Sequence, residues 1–330
     1  MTKIDLITGF LGSGKTTFIR HYVKYLLSTG EKVCILENDY GAINIDTMLL
    51  SDLKSDFCDI EMVAGGCDYD CHRRRFKTKL ITMAMLGFDR VIVEPSGVYD
   101  IDEFFDILNE TPIDTMYTIA NVTTVMNAET ETTLSEEAAY LLASQAALSG
   151  CIVLSHISAR KHGASSGIDI SRLCEYLNTA LTGIKCNRTL KPTDFIAVNW
   201  ADLTASDFTK IVNSGYHTVS FEKAFSMDNN GFEALFFMHI HMEQEALVEN
   251  INALFKEPSL GNVVRVKGFL LTGQTDTGQE EWIEINATDK VINITPAVIG
   301  QEVLIVIGEN LDRQRIDSFF EARFSSNRLQ

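Results

Sequence analysis

The sequence predicts an α/β chain whose first two-thirds or so form a doubly wound, mostly parallel sheet, followed by a smaller α+β unit with an antiparallel sheet. Three observations predict it. Apolar strand-like runs alternate with amphipathic helical stretches up to about residue 200. A glycine-rich loop joins the first run to the first helix. Beyond residue 231 short strands follow one another with few crossovers between them.

KIDLITGF at 3–10 reads as a short buried strand. The next stretch carries Phe18, Ile19, Tyr22, Val23, Leu26 and Leu27 at helical spacing, and Gly30 ends it. KVCILEND follows as a second strand, IEMVAGG leads into a helix over about 71–86, and RVIVEPSG is the next strand. MYTIANV and CIVLSHI flank a helix around 134–148, and DFIAVNW closes the sheet. The first unit is therefore placed at 1–215 and the second at 216–330. The polar patch SMDNNG at 226–231 interrupts the pattern. In the second unit HTVSFE, VVRVKGFLL, EWIEINA, KVINITP and EVLIVIGE read as strands, and EALVENINALFKE and DRQRIDSFFEARF as helices.

A net charge of -17 argues against a nucleic-acid partner, since a phosphate backbone rewards lysine and arginine. No run of about 18 apolar residues suits a membrane span, and the amino-terminal residues lack a signal-peptide layout, so a cytoplasmic protein with no membrane partner is expected. Seven cysteines, odd in number and scattered, argue against a disulfide framework. Cys34, Cys151 and Cys174 lie in apolar runs and read as small buried hydrophobes, whereas Cys58, Cys67 and Cys71 gather in one polar stretch.

Four constellations carry chemistry. Gly9-Phe10-Leu11-Gly12-Ser13-Gly14-Lys15-Thr16 satisfies G-x-x-x-x-G-K-[ST] between a strand and a helix. Glycines Gly9, Gly12 and Gly14 let backbone N–H groups wrap phosphates with Ser13, Lys15 reaches the outer phosphates, Thr16 can ligate Mg²⁺, and Thr17 follows it into the helix. Glu94-Pro95-Ser96-Gly97 ends an apolar strand, where a carboxylate can orient Mg²⁺ and an attacking water. Glu37-Asn38-Asp39-Tyr40-Gly41, with Asp46 beyond it, offers further acids at a strand end, suited to Mg²⁺, to water or to a second metal, or simply solvated. Cys67 and Cys71 are four apart and share a helix face if the helix begins after Gly65-Gly66, so two thiolates could hold Zn²⁺, Co²⁺ or Ni²⁺ with Glu37 or His72 as a further ligand. Unliganded cysteines stay open, and Arg73, Arg74 and Arg75 would favour thiolates or meet phosphate or a partner. Met238-His239-Ile240-His241-Met242 reads as a surface or packing segment.

Taken together, GFLGSGKTT, ENDYG with a later Asp, GGC leading to a second Cys, and EPSG resemble the CobW-like family of P-loop GTPases, relatives of the UreG, HypB and MeaB nickel and cobalamin chaperones. The stretch from VVRVKGFLL to IDSFFEARF resembles that family's second domain. The resemblance implies a P-loop NTPase fold of the SIMIBI type, nucleotide and Mg²⁺ held by Lys15 and Thr16, Glu94 in place of the usual Walker B aspartate, and a metal-binding cysteine segment. It departs from the family in three places: C-x-C-C becomes Cys67-Asp68-Tyr69-Asp70-Cys71, an acid becomes Ala42, and N-K-x-D becomes Ser155-His156-Ile157-Ser158. Ser155 and Ser158 would then face the base. A hydroxyl at Ser158 in place of an aspartate forfeits a charge-assisted hydrogen bond of about 1.5 to 3 kcal/mol, roughly one to two decades of guanine preference.

The expected function is GTP binding and slow hydrolysis, with ATP open, coupled to delivery of a metal or metallocofactor to a metalloenzyme or corrinoid-protein client. Lys15, Glu94 and Asp39 would serve the hydrolysis, and Thr16, Glu94 and Asp46 the Mg²⁺. The rival reading keeps the nucleotide and the client but carries no metal. A non-hydrolysing binding module and a small-molecule kinase are the remaining classes, and a homodimer is left open.

Overall fold

The computed structural model describes residues 1–38, 49–63, 69–99, 101–129, 135–157, 169–223, 232–238, 242, 244–274, 280–297, 300, 302–318 and 320. The chain divides into two compact units, Met1–Asn230 and Gly231–Gln330.

In the first unit seven strands form one sheet: β1 (Thr2–Thr8), β2 (Val33–Asn38), β3 (Cys58–Val63), β4 (Arg90–Pro95), β5 (Tyr117–Asn127), β6 (Cys151–Ser155) and β7 (Phe195–Ile196). Their order is β3-β2-β4-β1-β5-β6-β7, and every pair is parallel. The chain starts in the middle, works outward on the β2–β3 side, returns through β4 and crosses β1 to reach β5. Connections therefore reverse direction at β1, and the crevice at its carboxyl end is where such sheets take ligands.

Continuous apolar strands follow from burial on both faces. On one face Ile7, Val33, Ile35, Ile92 and Val125 pack with Phe18, Ile19, Tyr22 and Leu26 of α1 (Lys15–Ser28). On the other, Ile4, Leu6, Cys34, Leu36, Val91 and Val93 pack with Phe76, Leu80 and Met83 of α2 (Tyr69–Met85) and with Phe104 and Ile107 of α3 (Ile101–Leu108). A polar strut crosses this core. The Arg90 guanidinium donates to both oxygens of Asp5 at 2.7 Å and to Glu31 at 2.7 Å, and the Tyr22 hydroxyl of α1 donates to Asp5 at 2.8 Å.

The unit extends past residue 215. His217 N–H donates to the Leu148 carbonyl at 2.9 Å, Glu222 N–H donates to that of Ile184 at 2.8 Å, and Val219 and Phe221 pack on the core. HTVSFE is accordingly a packed extended segment of the first unit, not a strand of the second. DFIAVNW contributes only the two residues of β7, and helices over Ile170–Gly183 and Ala205–Val212, like α3, occur where the sequence reading placed none.

The second unit is a five-stranded antiparallel sheet, β11-β10-β9-β12-β8, built from β8 (Phe232–Met238), β9 (Asn262–Gln274), β10 (Glu280–Ala287), β11 (Ile292–Ala297) and β12 (Val303–Glu309). Leu247, Ile251 and Leu254 of the helix Gln244–Leu254 pack on it with Ile316 and Phe320. Strand β8 has no counterpart in the sequence reading.

Candidate nucleotide site

The loop between β1 and α1 adopts backbone conformations that favour glycine. Gly9, Gly12 and Gly14 have φ of 148°, 72° and 92°. A β-carbon at Gly9 would stand 2.2 Å from the Val125 carbonyl oxygen and 2.7 Å from Ser13 Oγ, so no side chain fits there. Gly14 is the N-cap of α1 and provides no side-chain cap, which leaves first-turn N–H groups available to an anion. The Lys15 side chain is buried and its ammonium donates to the Gly9 carbonyl at 3.0 Å. Buried hydroxyls of Thr8 and Ser13 also lie here without hydrogen-bond partners among the described residues. Thr17, one residue further along α1, is exposed.

The Thr16 hydroxyl donates to Glu94 Oε1 at 2.8 Å, which joins the start of α1 to the carboxyl end of β4. Glu94 is buried, and strand register sets it directly opposite Glu37, also buried. Partners in a parallel register share a sheet face, and Glu37 continues the Val33, Ile35 alternation that packs on α1. Two carboxylates and one hydroxyl thus lie on the α1 face, hard oxygen donors of the kind that fits Mg²⁺. Cys71 and His72 belong to α2, on the opposite face; Cys71 is half-buried and His72 fully buried. Among the described residues no three His, Cys, Asp or Glu side chains converge as a metal site. Asp39, Asp46, Cys67 and Ser158 lie outside the described residues.

The flank of the loop is built from the ends of β6 and β7. Ser155 is buried, its hydroxyl 3.4 Å from the Met126 carbonyl and 2.9 Å from His156 Nδ1, and His156 is exposed with φ 56°. Asn199 Nδ2 donates to the Ile157 carbonyl at 2.7 Å and Trp200 Nε1 to that of Leu154 at 2.9 Å, lacing the two loops together. The Trp200 ring would lie 3.0 Å from a β-carbon at Gly14 and stands 5.7 Å from the Phe18 ring. Asn199 and Trp200 were missed as site residues because DFIAVNW reads as strand to its end. The rule that ligands bind beyond strand carboxyl ends, applied to β7, would have pointed to them.

A glycine loop at the point of chain reversal, a buried lysine and a threonine paired with a strand-end carboxylate define a protein of the P-loop class. The chain belongs to the family described as CobW/HypB/UreG, nucleotide-binding domain, which matches residues 3–167. Zinc chaperone YeiR of Escherichia coli is 36% identical over 109 residues, 33% of this chain and 32% of YeiR. Zinc chaperone YjiA of the same organism is 29% identical over 103 residues, 29% of this chain and 31% of YjiA. These matches span about a third of the relatives' lengths. The crystal structure of Zn(II)-bound YjiA GTPase from Escherichia coli aligns over 97% of this chain and 98% of its own at 15% identity, with a TM-score of 0.38. No described helix is long and apolar enough to cross a membrane.

Proposed function

We propose that the protein binds a purine nucleoside triphosphate with Mg²⁺, hydrolyses it slowly, and uses that cycle to hand a transition-metal ion, as cargo, to a client protein. The observation that carries the nucleotide half is the Thr16–Glu94 hydrogen bond beneath the glycine loop. Thr16 and Glu94 would hold Mg²⁺, which supplies charge neutralisation to the phosphates. Lys15 and the loop N–H groups stabilise charge on the transferred group, and Glu94 with Asp39 orients water. GTP is the first choice, consistent with the family, and ATP competes because Ser158 offers a guanine edge a hydroxyl where N-K-x-D has a carboxylate.

The metal half draws on the relatives called zinc chaperones and on Cys71 near the start of α2 with Cys67 four positions before it in sequence, and Zn²⁺, Co²⁺ and Ni²⁺ are the candidate cargoes. A second reading, a nucleotide-driven chaperone of a metalloenzyme or corrinoid protein that carries no metal itself, gains support from Glu37, which shares its sheet face with Glu94 and not with α2.

Trp200, beside Gly14, provides the probe. Titration of Mg²⁺-GTP and Mg²⁺-ATP should change tryptophan fluorescence in the wild type, and Glu94→Gln should bind nucleotide but lose turnover. No response to either nucleotide would defeat the proposal. Zn²⁺ titrated with and without GTP tests the coupling, and client activation by a Cys67→Ser, Cys71→Ser variant at wild-type level would select the metal-free reading.

A further inference from the structure

Asn38 ends β2 and is 0% exposed, yet among the described residues neither its amide nitrogen nor its amide oxygen has a hydrogen-bond partner. A buried polar group left unused is costly, and such a group in a native protein calls for an explanation, of which a partner supplied in another conformation is one. Side chains alternate along the strand, so Asn38 follows Cys34 and Leu36 onto the α2 face while its neighbour Glu37 lies on the α1 face.

Its surroundings report on the glycine loop. The Asn38 carbonyl accepts the Ser96 N–H at 3.0 Å, within the Glu94–Gly97 turn. Gly97 abuts the loop: a β-carbon there would stand 2.8 Å from Leu11 N. Gln145, buried, donates to the Gly97 carbonyl at 3.2 Å and leaves Oε1 unused, and the buried Thr8 hydroxyl on the same face is also unused. Unused hydrogen-bonding capacity therefore flanks this turn on the α2 face.

We propose that Asn38 is a positioning residue through which the end of β2 registers the outer phosphate. When the Glu94–Gly97 turn shifts toward a triphosphate, its contacts with Leu11 and Asn38 shift together, and the carboxamide gains partners it lacks in the present conformation. The diphosphate, which does not draw the turn, leaves Asn38 as it is. This inference rests on the nucleotide reading above.

The test compares wild type, Asn38→Leu and Asn38→Ala by melting temperature and by affinity for Mg²⁺-GDP and for a non-hydrolysable Mg²⁺-GTP analogue. Leucine, close in size and apolar, should raise the melting temperature of the nucleotide-free protein, leave GDP affinity within about twofold, and weaken the triphosphate analogue about tenfold. Alanine, which adds no bulk, should show the same loss of discrimination. Unchanged discrimination in both variants, or a parallel fall of stability and of both affinities, would overturn the proposal and leave Asn38 a packing residue. Wild-type protein that binds neither nucleotide removes the proposed function and this inference with it, whereas wild-type binding with unaltered variant discrimination removes this inference alone.

Discussion

Replacing Gly9 by alanine tests whether the loop geometry carries the function, and Gly30 provides its control. Both glycines have positive φ, 148° and 85°, but a β-carbon at Gly30 meets nothing within 4 Å whereas one at Gly9 meets the Val125 carbonyl at 2.2 Å. Val125 sits in β5, paired with β6 and adjacent to β1, so its carbonyl cannot retreat without breaking a ladder. Gly30→Ala should therefore incur only the left-handed penalty of about 1 kcal/mol. Gly9→Ala adds overpacking of about 1–3 kcal/mol to backbone strain of about 1–3 kcal/mol, roughly 4 kcal/mol in all. At about 2–4 °C per kcal/mol for a unit of this size, the expected falls in Tm are roughly 2–4 °C for Gly30→Ala and 8–16 °C for Gly9→Ala. Differential scanning calorimetry measures both, and nucleotide titration at a temperature where Gly9→Ala is folded measures the functional loss. Equal falls in Tm, or a Gly9→Ala variant that binds nucleotide as the wild type does, would refute the reasoning.

Three further expectations follow from the described residues. Arg90→Met strands the Asp5 carboxylate, which burial pushes up and Arg90 holds down, and should lower Tm by roughly 10 °C, while Asp5→Leu with Arg90→Met should recover most of it in the same melt. Burial, aided by Lys24 and Arg20 at His21 and by Arg188 at His217, holds both imidazoles below their ordinary value. The unfolded chain then binds more protons, so the two histidines make stability fall as pH drops below about 6.5, until their folded values are passed. Melts from pH 7.5 to 5 should show this slope reduced in a His21→Gln, His217→Gln variant, and an unaltered slope would exclude these groups. Burial pushes the Cys58 thiol up to about 11 and Cys34 higher still, so iodoacetamide at pH 8 should label half-buried Cys71 and Cys186 long before either, as read by peptide mass spectrometry.

The glycine loop was legible because its chemistry is local: the motif, the strand before it and the helix after it lie within about thirty residues, and Glu94 stood out as the acid that closes an apolar strand run before Pro95-Ser96-Gly97. Trp200 and Asn199 were not legible, since the place of Trp200 beside Gly14 and of Asn199 against the end of β6 depends on hydrogen bonds to Leu154 and Ile157, more than forty positions away. HTVSFE shows the converse error. Its alternation of Val219 and Phe221 is real, but alternation reports one-sided burial, and an extended segment lying on a core has that without a strand partner. FEALFFM hid a strand for the opposite reason: Leu235 and Phe237 are buried, but the intervening Phe236 and the preceding Ala234 blur the period. The Asp5–Arg90 pair was invisible because a charge inside an apolar run gives no sign of its partner from another strand.

The face assignment of neighbouring residues constrains how any coupling between nucleotide and cargo can work. Lys15, Thr16, Glu37 and Glu94 serve the α1 side, whereas Cys71 and His72 ride on α2, and a seven-stranded sheet separates the helices. A packed interior transmits strain, and one route between the two faces runs where the strands end. At that rim Glu37 and Asn38 are consecutive but face opposite ways, and the Asn38 carbonyl is tied to the Glu94–Gly97 turn. One displacement of the β2 terminus alters the carboxylate pair on one face and the amide beside α2 on the other. Under the proposed function, equilibrium coupling by this route would be reciprocal: a cargo that reordered the head of α2 would change nucleotide affinity by the same factor that nucleotide changed cargo affinity.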